Sequence, residues 1–240
     1  MVEGFVGSSR FDWSKTPIVK LIISKESKGS YDAYNITGWN SAGENKVYES
    51  HFKAAGKYTI TTMTITEIKK AQSTMVGINK KHLFAVGLYQ IIPKTLEAKI
   101  KIKNKQGKVI GTRLVGFLPW IKIKKSINES TQLFDAEFQD MMPLYFWEKK
   151  QKNIGKYFKG KKDSEDAAYS VSKEWASAGV PSGLTIKSGA ISDGSMSYYG
   201  GDGLNNAHYN ATETIKALED TKEMLDAYGG YEKVLRESFN

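Results

Sequence analysis

The chain has 240 residues, 40% of them hydrophobic and 12% aromatic, which is the make-up of a folded chain and not of a disordered one. It contains no cysteine, and its three histidines (His51, His82 and His208) have no metal-ligand spacing, so disulfide frameworks, thiolate nucleophiles and the common zinc sites are excluded and neither metal nor cofactor is expected. A formal charge of +9 calls for an anionic partner, be it nucleic acid, anionic lipid or wall polymer.

Met1–Ser9 has neither the charged lead nor the apolar core of a signal peptide, and no stretch approaches the ~20 apolar residues of a membrane span. The chain is expected to be made in the cytoplasm and to span no membrane. Thr16-Pro17 reads as an N-cap with a first-turn proline, and Gly29 as the stop of the helix that follows. Ser30–Tyr58, polar, aromatic and rich in Gly and Asn, reads as hairpin or loop. Thr64-x-x-Glu67 is a capping box opening a helix with Ile65, Ile68, Ala71 and Met75 on one face. Phe84–Leu96, with Gly87 and Pro93, predicts two short helices meeting at the proline. Lys99-Ile100-Lys101-Ile102-Lys103, followed by Asn104 and Gln106-Gly107, has the alternation and turn signal of a hairpin, its lysines a solvated face.

Asp135–Lys149 predicts one helix with Phe138, Met141, Met142, Tyr145 and Phe146 inward and a kink at Pro143. Ser164 is expected to cap the next helix, which carries Ala168, Val171 and Trp175 and ends at Gly179 before Pro181. Gly183–Tyr209 is a glycine-rich excursion containing Tyr198-Tyr199-Gly200-Gly201, and long irregular loops in compact domains are often functional. Thr212–Tyr228 is an amphipathic helix with Ile215, Leu218 and Leu225 on one face. Together these elements describe a single mainly α (α+β) domain over residues 1–240, helical with a small β element.

The first helix carries the chemistry. With Ile18 at zero, Ile18, Val19, Leu21, Ile22 and Ile23 form an apolar arc, and Glu26 falls at about 80°, inside it. Glu26 also lies in the last turn, where the helix dipole disfavours negative charge. Burial and dipole both favour a neutral carboxyl, and a carboxylic acid kept protonated is what a general acid requires. A glycosidase of the usual kind needs a second carboxylate. The next segment supplies Asp32, Glu44 and Glu49 among Tyr31, Tyr34, Asn35, Trp39, Asn40 and Tyr48. Aromatic faces and amides suit sugar rings, whose C–H faces stack and whose hydroxyls hydrogen-bond.

Glu26-Ser27-Lys28-Gly29 at a helix end, followed downstream by Gly87-Leu88-Tyr89-Gln90-Ile91-Ile92-Pro93-Lys94-Thr95-Leu96, resembles the lysozyme-like peptidoglycan-cleaving superfamily. Lytic transglycosylases and goose-type lysozymes carry a catalytic glutamate followed by serine, and a later Gly-x-x-Gln-hydrophobic-x-Pro-x-Thr segment that lines the sugar groove. The chain looks closest to phage endolysins and to muramidase domains attached to type VI secretion spike proteins. It is similar to them also through Ser30–Asn35, Leu83–Gly87, Lys173–Pro181 and Ser192–Tyr199. The resemblance touches residues 18–200 and implies a lysozyme-like fold, with a β-hairpin element beside an active-site groove. It implies hydrolysis of the MurNAc-β-1,4-GlcNAc bond of peptidoglycan, without cofactor or metal, and delivery to the target cell wall by a phage or secretion-spike apparatus, with an immunity protein as a further partner.

Residue by residue, the resemblance makes Glu26 the acid that protonates the glycosidic oxygen and places Tyr89 and Gln90 against substrate beside it. Tyr34, Asn35 and Tyr199 are the further substrate-binding candidates. The pattern breaks at the second acid. Phage lysozymes place an aspartate nine residues after the glutamate and a threonine six beyond that, whereas the ninth residue here is Asn35. The base is then Asp32, Glu44 or Glu49. Glu44 is favoured because Trp39, Asn40, Gly43 and Asn45 predict a hairpin tip able to fold over Glu26. Alternatively there is no base and the sugar's own C6 hydroxyl attacks, as in lytic transglycosylases. The other readings are a chitin- or chitosan-cleaving relative and a non-enzymatic wall-binding module. Nucleic-acid binding through Lys99–Lys108, Lys122–Lys125 and Lys149–Lys162 is disfavoured, because no aromatic platform is interleaved with those lysines.

Overall fold

The computed structural model describes residues 11–52, 57–201 and 205–239. The fold is α+β, 41% helical and 19% strand, with small antiparallel sheets. In chain order the elements are α1 (Pro17–Glu26), β1 (Tyr34–Trp39), β2 (Asn45–His51), α2 (Ile65–Ser73), β3 (His82–Val86), α3 (Pro93–Leu96), β4 (Ala98–Lys103), β5 (Val109–Val115), α4 (Phe117–Lys122), α5 (Ala136–Gln139), α6 (Met142–Tyr145), a π-helical turn (Phe146–Lys150), α7 (Lys152–Phe158), α8 (Ser164–Glu174), α9 (Ala211–Ala227) and α10 (Tyr231–Glu237). They fall into two compact units. One comprises residues 26–142; the other joins the described residues up to Lys25 with those from Pro143 onward. No helix among the described residues is long and apolar enough to cross a membrane.

In the unit of residues 26–142, β1 is the middle strand of an antiparallel sheet ordered β2-β1-β3. Tyr34 therefore pairs with both His51 and Val86. Tyr34, Ile36 and Thr37 are buried, as aromatic and β-branched side chains of a central strand should be. Gly38 is required where the chain crosses β1: Trp39 N–H donates to Asn79 O at 2.7 Å, and a Cβ at Gly38 would stand 2.4 Å from the same oxygen. The capping box forms as expected, Glu67 N–H on Thr64 Oγ1 and Thr64 N–H on Glu67 Oε2, and opens α2. From α2, the buried Gln72 donates to Phe84 O and Ile91 O at 2.8 and 3.2 Å, which ties the helix to β3 and to the lead into α3.

Phe84–Leu96 departs from expectation. Its first part is strand, because β1 offers Val86 and Leu83 pairing partners; only Pro93–Leu96 is helical, with the proline in the first turn. The hairpin expected over Lys99–Arg113 is present as β4 paired with β5. An ion-pair cluster joins four segments of this unit. Lys69 bridges Glu97 and Glu129, and Lys122 also reaches Glu129.

The other unit is built on aromatic packing. Trp147 is 1% exposed and meets Trp13, Phe158 and Trp175 edge-on at 6.2–6.3 Å between ring centres. The single helix expected over Asp135–Lys149 is instead broken after Gln139, resumes at Met142 with Pro143 in its first turn, and ends in the π-helical turn. The wider turn lets the consecutive Phe146 and Trp147 both be buried. Gly155 permits α7 to approach, since a Cβ there would lie 2.5 Å from Trp147 O. Two caps differ from expectation. Asp163, not Ser164, caps α8, accepting Asp166 N–H at 2.7 Å. Thr16 turns its hydroxyl back to Trp13 O, and the Ile18 N–H of α1 is satisfied by Thr221 Oγ1 at 3.0 Å, 203 residues on.

Replacing Trp147 with alanine is expected to lower stability by about 3–5 kcal/mol, read as a lower urea midpoint. In the cluster, burial pushes the Glu129 carboxyl up, but hydrogen bonds and charge from Lys122 and Lys69 pull it below its ordinary 4.5. A carboxyl depressed on folding contributes stability above its unfolded pKa and loses it as pH falls through the folded one. Glu129→Gln should therefore flatten the fall in melting temperature below pH 4.5, relative to the unsubstituted protein.

Candidate active site

Glu26 is the last residue of α1 and is half-buried. The chain leaves the helix through the buried Ser27 and two left-handed residues, Lys28 and Gly29, with φ of 52° and 74°. Ser30 N–H on Ser27 O and Ala33 N–H on Ser30 O form successive turns that deliver the chain to β1. Lys28 Nζ stands 4.4 Å above the Phe52 ring, just past the end of β2. On the far side of β1, β3 ends at Val86 and enters a turn through Gly87 to Gln90, closed by reciprocal Val86–Ile91 backbone bonds. Because β1 and β3 run antiparallel, the start of one and the end of the other share one end of the sheet. Gly87 N–H donates to Ala33 O at 2.6 Å and joins the two turns there.

A residue the sequence reading missed holds this join. Gln139 is fully buried. Its Oε1 accepts Leu88 N–H at 2.6 Å, and its Nε2 donates to Phe134 O at 2.8 Å and Tyr31 O at 3.1 Å. The neighbouring Asp140 accepts the Tyr31 hydroxyl at 2.8 Å. Gly87 must be glycine: its φ is +73°, and a Cβ would come within 2.2 Å of Gln139 Oε1. The available signal was the polar pair Gln139-Asp140 interrupting an apolar stripe, since a buried amide needs partners.

The expected site residues separate into distinct roles. Gln90 is half-buried and left-handed at φ 49°, with Nε2 donating to Gly87 O at 3.0 Å; its Oε1 makes no hydrogen bond to the described residues. Tyr34 and Tyr89 are 1% and 2% exposed, so neither ring presents a surface to a ligand. Tyr34 instead stacks on His51 at 4.7 Å and meets Tyr58 edge-on. Asn35 bridges the irregular step of the β1–β3 pairing, its Oδ1 accepting Ala85 N–H at 3.1 Å.

The three acids are also distinguished. Asp32 lies within the turn that follows Glu26, and its Oδ1 accepts both the N–H and the hydroxyl of Thr61, at 2.8 and 2.9 Å. Its Oδ2 is bonded to none of the described residues. Thr61, in a threonine-rich stretch with no motif, left no sequence signal for this role. Glu44 is exposed at the β1–β2 tip, held by Asn40 Nδ2 at 2.8 Å. The tip is at the opposite end of β1 from Tyr34, about 17 Å along a strand of this length. That removes the reason for favouring Glu44. Glu49 is exposed on β2 beside His51, at 3.3 Å. An open cleft of about 450 Å³, lined by Tyr58, Thr59, Thr62, Met63, Glu67 and Lys70 among others, flanks the turn that contains Thr61.

Tyr199 belongs to the other unit. Its hydroxyl donates to Lys173 O at 2.7 Å near the end of α8, and Lys187 lies 5.4 Å over its ring. Burial, with the charge of Glu174 and Tyr198 beside it, raises its phenol above the usual range. Among the described residues no group of three or more His, Asp or Glu side chains could hold a metal ion.

A scan against protein-family models, a search of curated proteins and a search of solved structures each returned no match to the chain.

Gln139→Leu is expected to cost about 2–4 kcal/mol, because it leaves one amide and two carbonyls without their buried partner. Hydrogen exchange at the Leu88 amide should accelerate more than exchange at amides of β4 and β5, which Gln139 does not touch.

Proposed function

We propose that the chain cleaves peptidoglycan glycan strands as a muramidase, hydrolysing the MurNAc-β-1,4-GlcNAc bond on a lysozyme-like scaffold. The reading rests on one observation: the turn after Glu26 and the turn carrying Gln90 are joined at one end of the sheet through Gly87 and Ala33. In this reading Glu26, at the negative end of a helix, protonates the glycosidic oxygen as the C–O bond breaks through an oxocarbenium-like transition state. Gln90 Oε1 accepts a hydrogen bond from the sugar. Asp32, oriented by Thr61, uses Oδ2 to take a proton from the attacking water or to face the developing positive charge. The excess of basic residues speeds encounter with an anionic wall. A phage or secretion-spike route to the wall, and an immunity partner, go with this reading.

The double hydrogen bond from Thr61 also favours a second reading, in which Asp32 only pins the loop. The substrate's C6 hydroxyl would then attack C1, leaving a 1,6-anhydro end, as in lytic transglycosylases.

Mass spectrometry of fragments released from purified peptidoglycan separates these. Glu26→Gln should lower release by about 10²–10⁴-fold. Reducing ends that also disappear in Asp32→Asn support the hydrolase. Anhydro ends that survive Asp32→Asn support transglycosylation. No release by the unsubstituted protein makes the chain a wall-binding module.

A further inference from the structure

The β4–β5 hairpin carries Lys99, Lys101, Lys103, Lys105, Lys108 and Arg113 and no acidic residue between Ala98 and Val115. Six cations on one ribbon stand against a whole-chain excess of nine. All six are exposed, and none forms an ion pair with any described residue. Lys69 and Lys122 in the same unit, by contrast, are neutralised by Glu97 and Glu129. The ribbon is paired along its length: its strands pair from Ala98–Val115 to Lys103–Val109, with one irregular step after Ile102. Its tip is closed by Asn104, whose Oδ1 accepts the Gln106 and Lys108 N–H groups at 3.0 Å.

Aliphatic side chains are exposed among these cations. Ile102, Val109, Ile110 and Leu114 are 38%, 45%, 63% and 53% exposed. Leu114 and Val109 stand opposite Lys99 and Lys103 and share their face of the ribbon, whereas Ile102 lies on the other face. Exposed aliphatics beside cations mark an interaction surface, and they discriminate between polyanions. A soluble polyphosphate or wall polymer offers nothing apolar to cover them. A single nucleic-acid strand would be met by stacking aromatics, which the hairpin lacks, and a duplex presents phosphates to the lysines but no apolar layer to cover the exposed aliphatics. The headgroup layer of an anionic bilayer satisfies both demands: lysine ammonium groups stay with the phosphates on flexible stems while aliphatic chains enter the acyl boundary.

We propose that the β4–β5 hairpin docks the protein on the surface of anionic phospholipid membranes. The docking is peripheral and independent of Glu26, so it stands apart from the glycan-cleaving reading.

The test is co-sedimentation of the full chain with vesicles of equal phosphatidylglycerol and phosphatidylcholine, and with vesicles of phosphatidylcholine alone, over a range of salt. Binding is expected to the first and not to the second, and it should weaken as salt rises. The triple substitution Lys99→Gln/Lys101→Gln/Lys103→Gln should lower affinity about tenfold or more. Ile110→Ser/Leu114→Ser should lower it about fivefold or more while leaving the salt dependence unchanged. All five positions are exposed, and an unchanged melting temperature would show that each variant is folded. The proposal is overturned by absence of binding to the anionic vesicles, or by equal binding to both vesicle types. It is also overturned if the lysine variant binds as the unsubstituted protein does. If the lysine variant loses binding and the serine variant does not, the hairpin is a general polyanion site and the lipid assignment fails.

Discussion

One buried amide organises the end of the sheet where the candidate site lies. Gln139 uses its carbonyl oxygen and its amino group at once, accepting Leu88 N–H and donating to Tyr31 O and Phe134 O. The first partner belongs to the turn of Gln90 and the second to the turn after Glu26. In the low dielectric of a fully buried site these bonds have no water to replace them. The amide therefore holds two segments that lie more than fifty residues apart in sequence, and Gly87 is constrained to be glycine by the approach of its oxygen. The positions of Gln90 and Asp32 follow from this clamp and from the pairing of β1 with its two neighbours.

The same sheet separates the acids. A strand that begins beside the Gln90 turn must carry its hairpin tip away from it, so Glu44 goes with the tip and Asp32 stays. Thr61 then gives Asp32 a fixed orientation through two bonds to one oxygen, leaving the other oxygen toward the surroundings. An oriented carboxylate with one oxygen available suits proton transfer better than a mobile exposed glutamate does. This is why Asp32 carries the base role in the proposed mechanism.

The other unit follows a different rule. It is held by aromatic edges around Trp147 and, at the start of α1, by Thr221, which supplies the acceptor for the Ile18 N–H from 203 residues on. Its phenols serve this packing. Tyr199 is spent on the carbonyl of Lys173, and Tyr231 donates to Glu148 at 2.8 Å; deep burial, followed by the charge and the hydrogen bond of Glu148, raises that phenol well above its usual range.

What the amino-acid sequence determined by itself is local. The Lys–Ile alternation with Asn104 and Gly107 specified the β4–β5 hairpin, and Thr64 with Glu67 specified a helix start, because each depends on groups only a few residues apart. A helix stop at Gly29 was legible for the same reason, although α1 ends at Glu26 and Lys28 joins Gly29 in the left-handed region. What the tertiary structure decided are the cases where a distant partner outweighs local preference. Phe84–Val86 became strand because β1 lay beside it, and Asp135–Lys149 broke because Gln139 is bound to the Leu88 N–H and Tyr31 O of its own unit, while Phe146 and Trp147 are buried in the aromatic packing of the other. Tyr34 and Tyr89, chosen as sugar-binding aromatics, are core residues, because an aromatic ring is equally suited to a ligand and to a hydrophobic interior. Only the fold decides which of the two it meets.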